Sequence, residues 1–184
     1  MDLLPLYKTT IDQTASMLGK VGAQQLGATT PCADWTVKDL VNHLIGGQFM
    51  FGSALAGNPF TGGEAPDFSQ GDLVATWRAA SDSVTLGMAD KALASKSAAL
   101  PFGPVPGPQA AGIALLEAYV HTWDLARALG TDPTFPADVT GVVHEIAKNA
   151  VAAVPKEAGL FAPSVATTSS DAMAQAIAVT GRKP

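Results

Sequence analysis

The chain has 184 residues and a net charge of −5, with 11 Lys and Arg against 16 Asp and Glu. A chain of this length buries roughly 70% of its unfolded surface on folding, so we expect a single domain over residues 1–184. The basic residues form no stripe that could neutralise phosphates, which argues against nucleic acid as a partner.

Four segments have apolar side chains at helical spacing and predict long helices. In chain order they cover residues 6–26, 36–56, 72–88 and 109–129. The first ends near Gly27, and the last ends at Gly130, as expected of glycine after a helix. Thr36 followed by Asp39 approximates a capping box at the start of the second helix.

The segments between these helices are rich in turn formers. Residues 58–68 hold several Pro and Gly and predict a loop, and residues 100–108 contain four Pro and predict a connector. Shorter helices are expected at 138–153 and 170–180, separated by an irregular stretch. Strand signals are almost absent. The sequence therefore predicts an all-α protein, an antiparallel four-helix bundle with additional short C-terminal helices.

The chain has neither a run approaching the ~18 apolar residues of a membrane span nor a basic N-terminal segment followed by an apolar run. We therefore expect a cytoplasmic protein without a membrane partner. Cys32 is the sole cysteine, which excludes an internal disulfide and a zinc site built on cysteine pairs. A metal would have to rely on histidine and carboxylate ligands.

Glu117 and His121 are four residues apart on the fourth helix, so their side chains lie on one face and could share an ion. Alone, this spacing is weak evidence, because such a pair is more often solvated at the surface. Apolar Leu116 and Val120 lie beside the pair, and Asp124 extends the polar stripe by one turn. We interpret the stripe as facing inward, where it requires a partner from another helix.

His43 on the second helix is the candidate partner. It lies near the apolar side of that helix and is followed by Gly46 and Gly47, each of which costs about 1 kcal/mol in a helix relative to Ala. Two glycines together indicate that a close helix or a ligand needs room there. A lone histidine is more often a hydrogen-bonded core residue, but three candidates on two inward faces favour a metal site of His43, Glu117 and His121.

Two histidine nitrogens and one carboxylate suit zinc, and also nickel, iron or manganese. Three protein ligands leave a coordination position open for water or substrate, whereas a structural site is usually closed by a fourth ligand. The ligand set therefore favours a Lewis acid that lowers the pKa of a bound water or thiol.

Two segments resemble the signatures of a known family. Residues 30–44 have the sequence TPCADWTVKDLVNHL, and residues 117–127 have the sequence EAYVHTWDLAR. They resemble the mycothiol-dependent maleylpyruvate isomerase metal-binding domain family of the DinB-like superfamily. The segment LFAP at 160–163 and the ending TGRKP at 180–184 are similar to those of its short actinobacterial-type members, so the resemblance covers nearly the whole chain.

The resemblance implies a DinB-like bundle and a divalent metal, typically zinc, held by His43, Glu117 and His121. It further implies that the metal binds the thiol of a cosubstrate, mycothiol, and stabilises it as a thiolate nucleophile. The resemblance does not extend to the additional C-terminal domain of the full-length isomerase, so we expect a protein without that domain and do not expect maleylpyruvate as its substrate. Thiol transfer to an electrophile, or a thiol-dependent isomerisation, is the activity that the resemblance implies.

Several other residues near these segments have two interpretations each. Cys32 could be a redox thiol or a fourth ligand, but a small packed residue is the favoured interpretation. Trp35 could line a pocket, although stapling the entry to the second helix is favoured. Asp124 could orient His121 or pair with Arg127, with no preference between them.

The remaining polar candidates are interpreted as structural. His144 has Glu145 beside it and no further ligand type at chelating spacing, so we expect a surface or packing residue. Arg78 and Arg127 could receive an anionic substrate, but solvated salt bridges are favoured.

Three functions stay open from the sequence. The first is a thiol-dependent transferase or isomerase whose partners are a small-molecule thiol and an electrophilic substrate. The second is a non-catalytic bundle that binds metal or a small ligand as a sensor, carrier or storage protein, which a fourth protein ligand on the metal would favour. The third, a metal-free interaction module, requires the three candidate ligands to point apart. Each is compatible with a homo-oligomer.

Overall fold

The computed structural model of the protein describes residues 1–58, 62, 66–153 and 161–184. Two units can be distinguished, Met1–Pro133 and Thr134–Pro184. The first unit contains four long helices and a short hairpin. They are α1 (Leu4–Leu18), α2 (Val37–Leu55), α3 (Leu73–Ala89), β1 (Ser97–Leu100), β2 (Gly103–Pro106) and α4 (Gly107–Ala128). The prediction that residues 1–184 form one domain stays a prediction.

The four long helices pack as a bundle, in which α1 and α2 each contact both α3 and α4. Helix α2 runs antiparallel to α4, because Gln48 contacts the carbonyl of Ala114 whereas His43, more than one turn earlier, contacts Glu117. This arrangement confirms the predicted all-α, DinB-like fold class. It also places the candidate ligands of the two helices on facing surfaces.

Helices α2 and α3 approach each other closely and run in the same direction. A Cβ atom built on Gly52 would lie 2.6 Å from Cβ of Ser83, and one built on Gly87 would lie 2.6 Å from Cβ of Leu55. No side chain fits at either glycine without displacement, so glycine is what permits the helices to pack at this distance.

Helix α4 is the central element of the first unit, and its side chains are buried along most of its length. Leu115, Leu116 and Leu125 are at most 1% exposed, and each contributes about 1.5–3 kcal/mol by leaving water. One pair of polar groups in this interior joins α1 to α2: the Tyr7 hydroxyl donates to Gln48 Oε1 at 2.6 Å. Desolvation by burial raises the pKa of Tyr7, which keeps the phenol neutral.

The structure corrects two predicted boundaries. Helix α1 ends at Leu18 rather than near residue 26, and a separate 3₁₀ turn covers Ala23–Gln25. The predicted connector at 100–108 instead holds β2 and the first residues of α4, which begins at Gly107. Each strand has four residues, too few for alternation to be recognised in the sequence.

Proline has no backbone N–H to donate to a neighbouring strand, so it is tolerated on the edge strands of a sheet. Both strands of this two-stranded hairpin are edge strands and can therefore contain proline. Ala98 pairs with Val105 and Ser97 with Pro106 in its antiparallel register. Gly103 has φ of +116°, a conformation that other residues rarely adopt, at the turn between the strands.

The second unit contains α5 (Ala137–Ala153) and α6 (Ala172–Val179), which pack against each other. Both helices lie where the sequence predicts them. The amide of Val165 donates to the carbonyl of Ala178 at 2.9 Å and ties the preceding segment to α6. Part of the predicted irregular stretch, including Leu160 of the family-like LFAP segment, lies outside the described residues, as does most of the predicted loop at 58–68. Among the described helices, none has the length and apolar character needed to cross a membrane.

Candidate metal centre

Three candidate ligands converge in the first unit. Glu117 Oε2 lies 3.1 Å from His43 Nε2 and 3.2 Å from His121 Nε2. A tetrahedral ion with ligand distances of about 2.0–2.2 Å separates its ligands by roughly 3.3–3.6 Å, so these two contacts are a few tenths of an ångström shorter than an ion requires. The structure therefore brings the three side chains together as the sequence predicts. That they hold a metal stays a prediction.

The local sequence fixes the position of His43 on α2. The Thr36 side chain accepts from the Asp39 amide at 3.3 Å, and Asp39 Oδ2 accepts from the Thr36 amide at 2.9 Å. This reciprocal pair is the predicted capping box, and it sets the first residue of the helix. His43 follows two turns later, on the side of α2 that faces α4.

Exposure increases across the site from α4 to α2. The side chain of His121 is 8% exposed, that of Glu117 is 27% exposed, and that of His43 is 40% exposed. The site is therefore closed on its His121 side and open to solvent on its His43 side. A small ligand could approach from the open side.

Asp124 resolves the choice that the sequence left open. Its Oδ2 lies 2.9 Å from His121 Nδ1, and the residue is completely buried. Arg127 instead pairs with Asp132 at 3.1 Å, on the surface. In the neutral ring, Nδ1–H donates to Asp124 and the lone pair lies on Nε2, which faces Glu117; in the protonated ring, Nε2–H donates to Glu117 as well.

Cys32 lies behind His121 rather than beside His43. Its Sγ lies 3.1 Å from Asp124 Oδ2 and 3.9 Å from His121 Nδ1. Cys32 therefore makes polar contacts, whereas the sequence favoured a packed apolar role. The sequence offers no sign of this contact, because Cys32 and Asp124 are 92 residues apart.

Trp35 borders the site between the two histidines. Its ring centroid lies 4.7 Å from that of His43 and 5.8 Å from that of His121. The backbone holds the tryptophan through the contact of its amide with the carbonyl of Cys32 and of its carbonyl with the Thr30 amide. Trp35 thus borders the candidate site, a position that the sequence analysis considered but did not favour. Its role as a staple at the entry to α2 stays a prediction.

The electrostatics of the site favour a cation at its centre. Burial alone would raise the pKa of Glu117, but hydrogen bonds from His121 and His43 outweigh it and hold the pKa far below its usual range. Burial alone would lower the pKa of His121, but contacts with Asp124, Cys32 and Glu117 raise it well above its usual value. Without a metal, the proton on His121 supplies the positive charge that these carboxylates stabilise.

Gly46 and Gly47, which follow His43 on α2, have no side chains and leave open space on the helix surface beside it. A Cβ atom on Gly46 would meet only the Phe68 ring at 3.6 Å, and one on Gly47 would meet no atom of the described residues within 4 Å. Phe68 is itself held by its amide, which donates to Asn42 Oδ1 at 2.8 Å. Packing among the described residues therefore does not require these glycines, and they leave space next to the exposed histidine.

The other candidates lie outside this cluster. Arg78 forms a surface ion pair with Asp12, as expected of a solvated salt bridge. His144 lies on α5 in the second unit and belongs to none of the metal-capable groups found among the described residues.

Comparison with known proteins identifies a family for the chain that contains this site. Residues 7–126 match the family model described as the mycothiol maleylpyruvate isomerase N-terminal domain, which covers about two thirds of the chain and all three candidate ligands. No solved structure matches the chain significantly.

Two curated relatives come from Mycobacterium tuberculosis. They are uncharacterized protein MT0763 of strain CDC 1551 / Oshkosh and uncharacterized protein Rv0738 of strain ATCC 25618 / H37Rv. Each is 36% identical over 130 residues, a match that covers 71% of this chain and 69% of the relative. The chain therefore belongs to the mycothiol maleylpyruvate isomerase N-terminal domain family.

Proposed function

We propose that this protein is a divalent-metal enzyme that activates the thiol of a small cosubstrate and uses its sulfur as the nucleophile toward an electrophile. His43, Glu117 and His121 would hold the metal, with zinc as the expected ion. The thiol would be of the mycothiol type, since the family description names that compound. The overall reaction would be thiol transfer or a thiol-dependent isomerisation.

One observation supports this proposal more than any other: three donor atoms converge at a site that is buried at His121 and open at His43. Among the described residues, no further His, Cys, Asp or Glu joins this group of three. A catalytic metal site needs such an open position, whereas a structural site is usually closed by protein ligands.

The donor set fits zinc on chemical grounds. Two imidazole nitrogens and a carboxylate oxygen are the ligands found in many catalytic zinc sites, and the distances from Glu117 Oε2 to the two histidine nitrogens are near those of a tetrahedral site. Glu117 adds one negative charge, so a divalent ion would keep a net positive charge and favour an anionic ligand such as a thiolate. When bound, the ion would supply the Lewis acidity that lowers the pKa of a coordinated thiol.

The protein's own residues would orient the ligands and shape the access route. Asp124 holds His121 with Nε2 facing Glu117, and Trp35 limits the freedom of the exposed His43 ring. Gly46 and Gly47 leave room on α2 for the body of a cosubstrate. The sulfur would form its new bond to the electrophilic carbon on the open side, as a double bond of that carbon opens in an isomerisation or its leaving group departs to solvent in a thiol transfer. The thiol proton would pass to solvent there.

Metal analysis tests the first half of the proposal. The full chain purified without chelators should contain about one divalent ion, and His43→Ala and His121→Ala should each lose it. His144→Ala is the matched control and should keep the ion. Stoichiometric metal in the His121→Ala variant would contradict the assignment of the site.

Thiol dependence tests the second half. The cobalt-substituted protein should change its visible spectrum when mycothiol is added, and turnover of an electrophile should require both metal and thiol. Cys32→Ser should still turn over and should still depend on added thiol. Turnover without added thiol that disappears in Cys32→Ser would show that the chain supplies its own nucleophile. A cobalt spectrum that no thiol perturbs would favour a non-catalytic binding protein.

A further inference from the structure

A second group of potential ligands lies on the opposite side of the His121 ring from Glu117. Cys32 Sγ lies 3.9 Å from His121 Nδ1 and 3.1 Å from Asp124 Oδ2, and these last two atoms are 2.9 Å apart. We propose that Cys32, His121 and Asp124 form a second, sulfur-containing metal site that binds a thiophilic cation such as Cd²⁺. We call this group the inner site, and His43, Glu117 and His121 the outer site.

The distances within the inner site suit a metal ion. Bonds of about 2.3 Å to sulfur and 2.0–2.2 Å to nitrogen or oxygen give tetrahedral ligand separations of roughly 3.3–3.7 Å. These are bond lengths for zinc, and Cd²⁺ is a larger ion, so binding would move Asp124 Oδ2 away from Cys32 Sγ and His121 Nδ1 by roughly half an ångström or more. The 3.9 Å between Cys32 Sγ and His121 Nδ1 is already wide enough. His121 and Asp124 are buried, and Cys32 is half-buried, in the loop that precedes α2.

The chemistry of the inner site differs from that of the outer site. A thiolate with a carboxylate provides two negative charges and one soft donor, and soft donors select thiophilic ions. The outer site has one carboxylate and no sulfur. On binding, the Cys32 S–H bond and the His121 Nδ1–H bond break and both protons leave to solvent, while sulfur–metal and nitrogen–metal bonds form without a change of oxidation state.

The two sites should compete, because they share His121. A neutral imidazole has a single nitrogen lone pair, so His121 serves the outer site through Nε2 or the inner site through Nδ1. An ion in the inner site also takes Asp124 away from its contact with His121 Nδ1. A thiophilic cation in the inner site should therefore weaken zinc binding at the outer site.

Cadmium titration of the full chain tests the inner site by its sulfur-to-metal absorption in the ultraviolet. The wild-type chain should develop this band at one ion per chain, and Cys32→Ser should lose it. The variants Asp124→Asn and His121→Ala should develop the band only at cadmium concentrations about tenfold higher or more, because each lacks one ligand. An undiminished affinity in both of these variants would show that the thiol acts alone and would overturn the proposal.

The variant His43→Ala separates this inference from the proposed function. It lacks an outer ligand but keeps the inner site, so its cadmium band should persist. In the wild-type chain, zinc added beforehand should raise the cadmium concentration at which the absorption band develops. In His43→Ala, zinc should raise that concentration much less. Zinc and cadmium bound together to the wild-type chain without mutual weakening would overturn the competition. A cadmium band in a wild-type chain that binds no zinc would refute only the proposed function.

Discussion

Asp124 Oδ2 lies 2.9 Å from Nδ1 of His121, and this contact decides which nitrogen of the histidine faces Glu117. Both residues are buried and lie one turn apart on α4, so the contact holds the ring in one orientation. Partners of this kind fix the tautomer of a metal-binding histidine and raise its basicity.

Asp124→Asn should therefore weaken metal binding at the outer site by about 10–100-fold while the ring keeps a hydrogen-bond acceptor. The affinity can be measured by competition with a coloured chelator. Asp132→Asn, at the exposed partner of Arg127, is the matched control and should bind metal as the wild-type chain does. Equal affinities for the two variants would show that the charge of Asp124 does not contribute.

The raised pKa of His121 predicts how pH acts on the apo protein and on metal binding. Its folded-state pKa lies well above the ordinary value, so the stability that its protonation contributes is fully present below about pH 6.5 and lost as pH rises through the folded pKa. A metal needs the neutral ring, so metal affinity should rise with pH over the same window.

This pH dependence can be measured as the free energy of unfolding of the apo protein, and as the chelator competition, at several pH values. The variant His121→Ala should lose the contribution of this group to apo stability. A metal affinity that does not change with pH in the wild-type chain would contradict the prediction.

Removal of the metal should leave the bundle folded. The first unit has its own apolar core on α4, so it does not depend on an ion as a zinc finger does. The apo protein should keep its helical circular dichroism, and a hundredfold excess of metal over Kd should add about 2.7 kcal/mol to the free energy of unfolding. Unfolding of the apo protein under mild conditions would show that the site is structural.

Two glycines of α2 should respond to the same substitution in opposite ways. Gly52→Ala should destabilise the protein by about 1–3 kcal/mol, because the new Cβ would lie 2.6 Å from Cβ of Ser83. Gly47→Ala meets no described atom and should stabilise the helix by up to about 1 kcal/mol. Urea unfolding measures both, and equal effects would show that α2 and α3 are not packed as described.

Most of the helical architecture could be predicted from the sequence. Apolar spacing identified the four long helices, and Thr36 with Asp39 identified the start of α2. The hairpin at 97–106 could not be predicted, since strands of four residues with two prolines lack the alternation by which a strand is recognised. The early end of α1 at Leu18 was also missed, because the apolar spacing continues through Val21.

Part of the candidate site could likewise be predicted from the sequence, and part of it depends on contacts between segments that are far apart in the chain. Residue spacing alone predicts that Glu117, His121 and Asp124 share one face of α4, because helical geometry places residues three and four apart side by side. The packing of the helices was needed to show that His43, 74 residues before Glu117, faces this stripe, and that Cys32 lies behind His121. Contacts between distant segments depend on how helices pack and how the loop before α2 closes, and residue spacing along one helix does not encode either.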